Sequence, residues 1–86
     1  MKETGRLAAL SVGVRLREAR DRRGWTLIEL GTKAGVGTTT VTSIETGSRQ
    51  PRGDTVEKLA RALGVPRCWL AYGDGPKPDW DAALPS

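Results

Sequence analysis

Val12, Leu16 and Ala19 recur at i, i+4 and i+7, the spacing of one face of an α-helix. Arg15, Arg17, Glu18, Asp21 and Arg22 fill the intervening positions, so the segment is amphipathic, and Gly24 supplies a stop after Arg23. Residues 1–10 are mixed and uncapped and are expected to form an N-terminal arm, frayed or an early helical turn. A second helix is signalled by Thr26-Leu27-Ile28-Glu29, a capping box in which hydroxyl and carboxylate each satisfy the other residue's N–H. It should run from Leu27 to Ala34 and end at Gly35. Only Gly35-Val36-Gly37 then separates it from the next segment, a turn short enough to force two helices to cross steeply over Val36.

Residues 38–46 carry the run Thr38-Thr39-Thr40-Val41-Thr42, whose β-branched side chains favour strand by propensity alone. Val41 and Ile44, three apart, and the bounding glycines 35, 37 and 47 argue instead for one short helix. After the polar loop 48–53, Asp54-Thr55-Val56-Glu57 offers another N-terminal signature. Val56, Leu59, Ala60 and Leu63 follow at helical spacing, closed by Gly64. Pro66 suits the first position of a fifth helix, which carries Trp69 and Leu70 and stops at Gly73. Gly75-Pro76-Lys77-Pro78 blocks further helix and is expected to be an extended linker, which makes 74–86 a proline-containing acidic tail beyond a domain spanning 11–73. The expected core is Leu16, Ala19, Leu30, Val36, Val41, Ile44, Leu59, Leu63 and Trp69, with Trp25 at its rim.

Composition removes most catalytic chemistry. The 86 residues contain no histidine and a single cysteine, Cys68, so the common zinc sets, an internal disulfide and imidazole acid–base work are all excluded. Without a resolving partner, Cys68 reads as a partly buried small residue and not as a redox sensor. There is no Gly-rich phosphate loop after a strand, and no metal or cofactor is expected; the chain does not read as an enzyme. No stretch approaches the ~20 apolar residues of a membrane span, and the first ten residues lack a secretory run, which makes the cytoplasm the expected compartment. The charge is uneven: 1–73 carry 13 Lys/Arg against 7 Asp/Glu, whereas the tail carries Lys77 against Asp74, Asp79 and Asp81. A basic body of this kind suits a polyanionic partner.

The stretches Thr26 to Leu30, Gly35-Val36-Gly37, Val41 to Gly47 and Leu59-Ala60-Arg61-Ala62-Leu63-Gly64-Val65, with Pro51 and Trp69-Leu70, stand in a telling order. Together they resemble the Cro/cI-type (phage-repressor-like, XRE) helix-turn-helix family over about residues 12–73. The resemblance implies an all-α, five-helix, lambda-repressor-like domain whose helices 2 and 3 form the helix-turn-helix. It implies a regulator that binds double-stranded DNA as a homodimer on an inverted repeat, with helix 3 in the major groove. RNA polymerase is a further candidate partner.

Carried over onto this sequence, the resemblance places Thr38, Thr39, Thr42 and Ser43 against base edges. Thr26, Leu27, Gly37, Thr40, Arg49 and Arg52 fall against phosphates, and the N-terminus of helix 2 points at the backbone. An Arg late in helix 1 pairs with a Glu late in helix 3, here Arg20 and Glu45, as a structural bond. Leu70, Tyr72 and Trp80 are the candidates for the dimer contact. Arg15, Arg17, Arg22 and Arg23 read as a solvated face of helix 1, with one of them a candidate DNA contact, and Lys33, Lys58 and Arg61 as surface. The sequence departs from the family where Leu27 replaces a frequent phosphate-binding Gln, Gly37 a Ser or Thr cap and Gly31 an Ala. Helix 3 also lacks the Gln or Arg that many relatives present, which shifts weight to thymine methyl contacts, water or DNA shape. That short-chained face leaves one alternative: a protein-interaction module for an antagonist or polymerase subunit, with weak or no DNA binding.

Overall fold

The computed structural model describes residues 4–73, with side chains from Val12 onward. Five helices follow one another: α1 (Thr4–Arg23), α2 (Leu27–Ala34), α3 (Thr38–Glu45), α4 (Gly53–Leu63) and α5 (Arg67–Tyr72). No strand occurs among the described residues, so the architecture is all-α, as the periodicity predicts.

Each helix contributes one apolar stripe to a common core. Val12, Leu16 and Ala19 come from α1, Leu30 from α2, Val41 and Ile44 from α3. Val56, Leu59, Ala60 and Leu63 come from α4, and Trp69 and Leu70 from α5. The β-branched run folds as helix because Val41 and Ile44 are fully buried, and packing of an apolar face outweighs a propensity deficit of a few tenths of a kcal/mol per residue. Val36, expected in the core, is half-buried and packs against its edge, as Trp25 does. Lys33 and Arg23 lie 5.0 and 5.8 Å from the centre of the Trp25 ring.

The turn between α2 and α3 is set locally. The Thr26 hydroxyl accepts from Glu29 N–H at 3.1 Å, and the Glu29 carboxylate accepts from Thr26 N–H at 2.8 Å, closing the capping box. At the other end Val36 N–H donates to the Gly31 carbonyl at 2.9 Å, reversing the chain over Gly35. Gly35 holds φ +71°, a left-handed conformation that a Cβ would strain.

Several boundaries differ from expectation. Helix α1 begins at Thr4, so most of the segment read as an arm has helical backbone. Arg52, not Asp54, is the N-cap of α4, and no side chain caps that end. Asp54 sits inside the first turn, where its charge still favours the helix dipole, while Glu57 bonds Arg61 at 3.0 Å on the exposed face. Pro66 is the N-cap of α5 and not its first residue. Cys68 is exposed and not half-buried.

Two arginines read as solvated instead tie distant helices to α1. Arg23 donates from Nε and Nη2 to the Leu63 carbonyl at 3.0 and 2.7 Å, closing the C-terminus of α4. Arg15 donates to the Leu70 and Ala71 carbonyls at 2.9 and 3.0 Å, doing the same for α5. Helix-end carbonyls lack partners within their own helix, and a guanidinium suits them by both hydrogen bonding and dipole. Arg23→Ala should therefore lower stability by about 1–2 kcal/mol, read as a lower urea midpoint at unchanged m-value. Its DNA affinity should be unaltered under conditions where the variant is folded.

Candidate nucleic-acid interface

Helix α3 buries Val41 and Ile44 and turns Thr39 and Thr42 outward, both exposed; Thr38, Thr40 and Ser43 are half-buried at its flanks. Among the described residues neither the Thr39 nor the Thr42 hydroxyl bonds another group. The N-cap Gly37 supplies no side-chain bond to the start of α3. The N–H groups of its first turn therefore have no side-chain cap.

The pose of α3 is fixed from α1. Arg20 grips Glu45 through two bonds, Nε to Oε2 at 2.7 Å and Nη2 to Oε1 at 3.1 Å. Its third nitrogen, Nη1, donates to the Trp25 carbonyl at 2.9 Å. The side chains of Arg20 and Glu45 are only 13% and 8% exposed, so water competes little for either. The Glu45 hydrogen bond raises the Arg20 pKa above its ordinary value against the opposing effect of burial. Next to this pair, Gly13 lets the α1 backbone lie directly against α3: a Cβ there would meet the carbonyl oxygens of Ile44 and Glu45. Gly31 plays a similar part between α2 and the turn, where a Cβ would stand 2.6 Å from the Val36 carbonyl oxygen.

The loop after α3 is folded back on it. The Ser43 carbonyl accepts from Ser48 N–H at 3.0 Å and Arg49 N–H at 3.2 Å, with the Thr46 and Ser48 hydroxyls each at 3.2 Å. This holds Arg49 beside the helix, where its guanidinium reaches the Thr40 hydroxyl at 3.4 Å. Arg49, Arg52, Thr40, Thr55 and Lys58 line one shallow groove with the Gly35-Val36 turn. Lys58 is exposed, as expected of a surface residue, on the side of α4 opposite the buried Leu59 and Ala60. Four candidates for phosphate contact (Gly37, Thr40, Arg49 and Arg52) thus fall on or near one basic strip.

At the start of α2 the capping box occupies Thr26 N–H, leaving the Leu27 and Ile28 N–H groups as the free donors. Ile28 itself is two-thirds exposed (67%). The expected dimer residues separate. Leu70 is 1% exposed and belongs to the monomer core, so it cannot meet a second copy; a six-residue helix is too short for spacing to define its outer face. Tyr72 is 74% exposed at the end of α5. Trp80 lies outside the described residues. No group of metal-binding side chains occurs among the described residues, and no helix there is long and apolar enough to cross a membrane.

An outward helix, crossed by a second helix over a glycine turn and flanked by a basic strip, defines a helix-turn-helix domain. The helix-turn-helix family model matches residues 16–70, more than half of the chain. The chain belongs to the Cro/cI-like, XRE-type helix-turn-helix family. Over 56 residues, 65% of this chain, it is 38% identical to proteins of Mycobacterium bovis and Mycobacterium tuberculosis named as uncharacterized HTH-type transcriptional regulators. Over 66 residues, 76% of the chain, it is 39% identical to the HTH-type transcriptional repressor RghR of Bacillus subtilis. The aligned stretch spans 22% of the mycobacterial proteins and 49% of the Bacillus one, so the similarity covers a domain of each and not the whole. No solved structure matches the chain significantly.

Proposed function

We propose that this chain is a sequence-specific, double-stranded DNA-binding transcriptional regulator that lays α3 in the major groove and represses by occupying an inverted repeat as a dimer. The observation that carries this reading is α3 itself, whose Thr39–Thr42 edge is exposed, unbonded and flanked by Arg49, Arg52 and Lys58. A major groove about 12 Å wide admits one helix, and the cations on one flank of α3 suit the phosphate ridge on that side. The free N–H groups of Leu27 and Ile28 suit a phosphate on the other side, because a helix N-terminus carries partial positive charge. The names of the relatives, transcriptional regulators and a repressor, support the same reading.

Dimerisation follows from information content. One helix offering a few side chains specifies too few base pairs for a unique address, and two half-sites about one turn apart double them. Tyr72, exposed at the end of α5, is the candidate contact on the described surface, with Trp80 beyond it.

Selection of bound sites from random DNA, followed by titration of the selected duplex over a salt series, tests the reading. An inverted repeat and a steep negative log–log salt slope are the expected results. Arg49→Ala and Arg52→Ala each remove one phosphate contact per half-site, so in the dimer each should shallow that slope by about 2 and weaken all sequences to a similar extent. Absence of both sequence preference and salt dependence would turn the assignment to the protein-interaction module.

A further inference from the structure

Resting on the DNA-binding reading, we infer that the base pairs beneath α3 are A·T pairs, recognised through thymine C5-methyl groups by the methyl groups of Thr39 and Thr42. Helix α3 lacks the long side chains that read guanine and adenine. Its sequence, TTTVTSIE, contains no Arg, Lys, Asn or Gln. Guanine is read through O6 and N7 by the fork of an Arg or by a Lys, and adenine through N6 and N7 by the amide of an Asn or Gln. Neither reader is available on this helix. Its single charged residue, Glu45, is 8% exposed and held by Arg20 through two bonds, so it cannot accept from cytosine N4 either.

The nearest cations line a groove that does not include Thr39 or Thr42. Arg49 lies beyond Gly47 in the folded-back loop and reaches Thr40, a flank of α3 one residue round from Thr39. Arg52 and Lys58 share that same groove, away from the Thr39–Thr42 edge. Charge therefore sits where backbone phosphates pass, and none projects from the edge that would face the bases.

What that edge offers is methyl and hydroxyl. Thr39 and Thr42 are i and i+3, on one side of the helix, exposed, and without an intramolecular bond among the described residues. A threonine hydroxyl donates and accepts, so it pairs with several base edges and discriminates little. Its methyl has a single apolar counterpart on the four bases of the major groove, the thymine C5-methyl. Methyl against methyl is the discriminating contact left to this helix.

The test uses the full chain and the duplex selected from random DNA, with thymines beneath α3 replaced one at a time by uracil. Uracil keeps every hydrogen-bonding group and lacks only the methyl. The selected motif should hold A·T pairs in each half-site at the positions beneath α3. Each critical uracil should weaken binding about fourfold, the equivalent of one buried methyl. Thr39→Ser and Thr42→Ser keep the hydroxyl on an exposed face, so both should fold normally. Each should cancel the uracil penalty at its own position. A motif with guanine at those positions, or uracil duplexes bound as tightly as the parent, would overturn the inference while leaving DNA binding intact. A chain that selects no sequence and shows no salt dependence would overturn the DNA-binding reading itself, and the inference with it.

Discussion

Replacing Glu45 with alanine is expected to lower the unfolding free energy by about 3 kcal/mol and the melting temperature by more than roughly 10 °C. The reason is less the value of the ion pair than what its loss leaves behind. Arg20 is 13% exposed, and two of its three nitrogens point at Glu45. Without the carboxylate, a guanidinium stays in a partly dry site with only the Trp25 carbonyl as a strong partner; the Asp21 carboxylate, at 3.7 Å and largely exposed, compensates little. A buried charge robbed of its counter-ion typically costs about 3–5 kcal/mol, whereas replacing both charges by apolar groups of similar volume is often near neutral. Accordingly Arg20→Met combined with Glu45→Leu should recover much of the stability lost in Glu45→Ala. Thermal unfolding of the three proteins measures this directly. Loss of the pair also frees the C-terminal end of α3 from α1, so specific DNA affinity should fall in Glu45→Ala even at temperatures where the domain is folded. Unchanged melting of Glu45→Ala would contradict the mechanical role assigned to the pair.

Gly13→Ala should be comparably severe, although it adds only one methyl group. The added Cβ would collide with the Ile44 carbonyl oxygen and stand 2.7 Å from that of Glu45. Both are backbone atoms at the end of α3, so no side-chain rotation relieves the clash. The helices must separate, which loosens Leu16 and Ile44 in the core and draws Glu45 away from Arg20. Overpacking costs typically 1–3 kcal/mol, and strain on the ion pair adds to that; we expect a total of about 3 kcal/mol by urea unfolding. Alanine is ordinarily the better helix former by about 1 kcal/mol, so a Gly13→Ala protein as stable as the parent would show that α1 and α3 do not touch at this point.

The helix order was legible because its signals are local. The Thr26–Glu29 capping box and the glycines after α2 and α4 act within a few residues of themselves, and they appear in the structure where the sequence puts them. Residues 38–46 were harder, since intrinsic propensity and burial disagree there. The spacing of Val41 and Ile44 decided the matter, because both are fully buried. The roles of Arg15 and Arg23 were not legible. Their partners are main-chain carbonyls 55 and 40 residues away, and a carbonyl leaves no residue-type signature in the sequence. Leu70 and Cys68 were misread for a different reason: α5 has six residues, under two turns, so spacing alone could not assign its inner and outer sides. The groove of Arg49, Arg52 and Lys58 combines a loop with a helix that follows it, and only the fold brings them together.

Backbone amide mapping by NMR, as the selected duplex is titrated into the labelled chain, locates the DNA-binding surface residue by residue. Shifts should concentrate at Leu27 and Ile28, at Thr38 to Ser43 and at Arg49, Gln50 and Arg52, with α1 residues such as Arg17 and Arg22 little affected. Shifts centred on α1 or on the α4–α5 side, with Thr39 and Thr42 silent at saturation, would contradict the docking of α3 in the major groove.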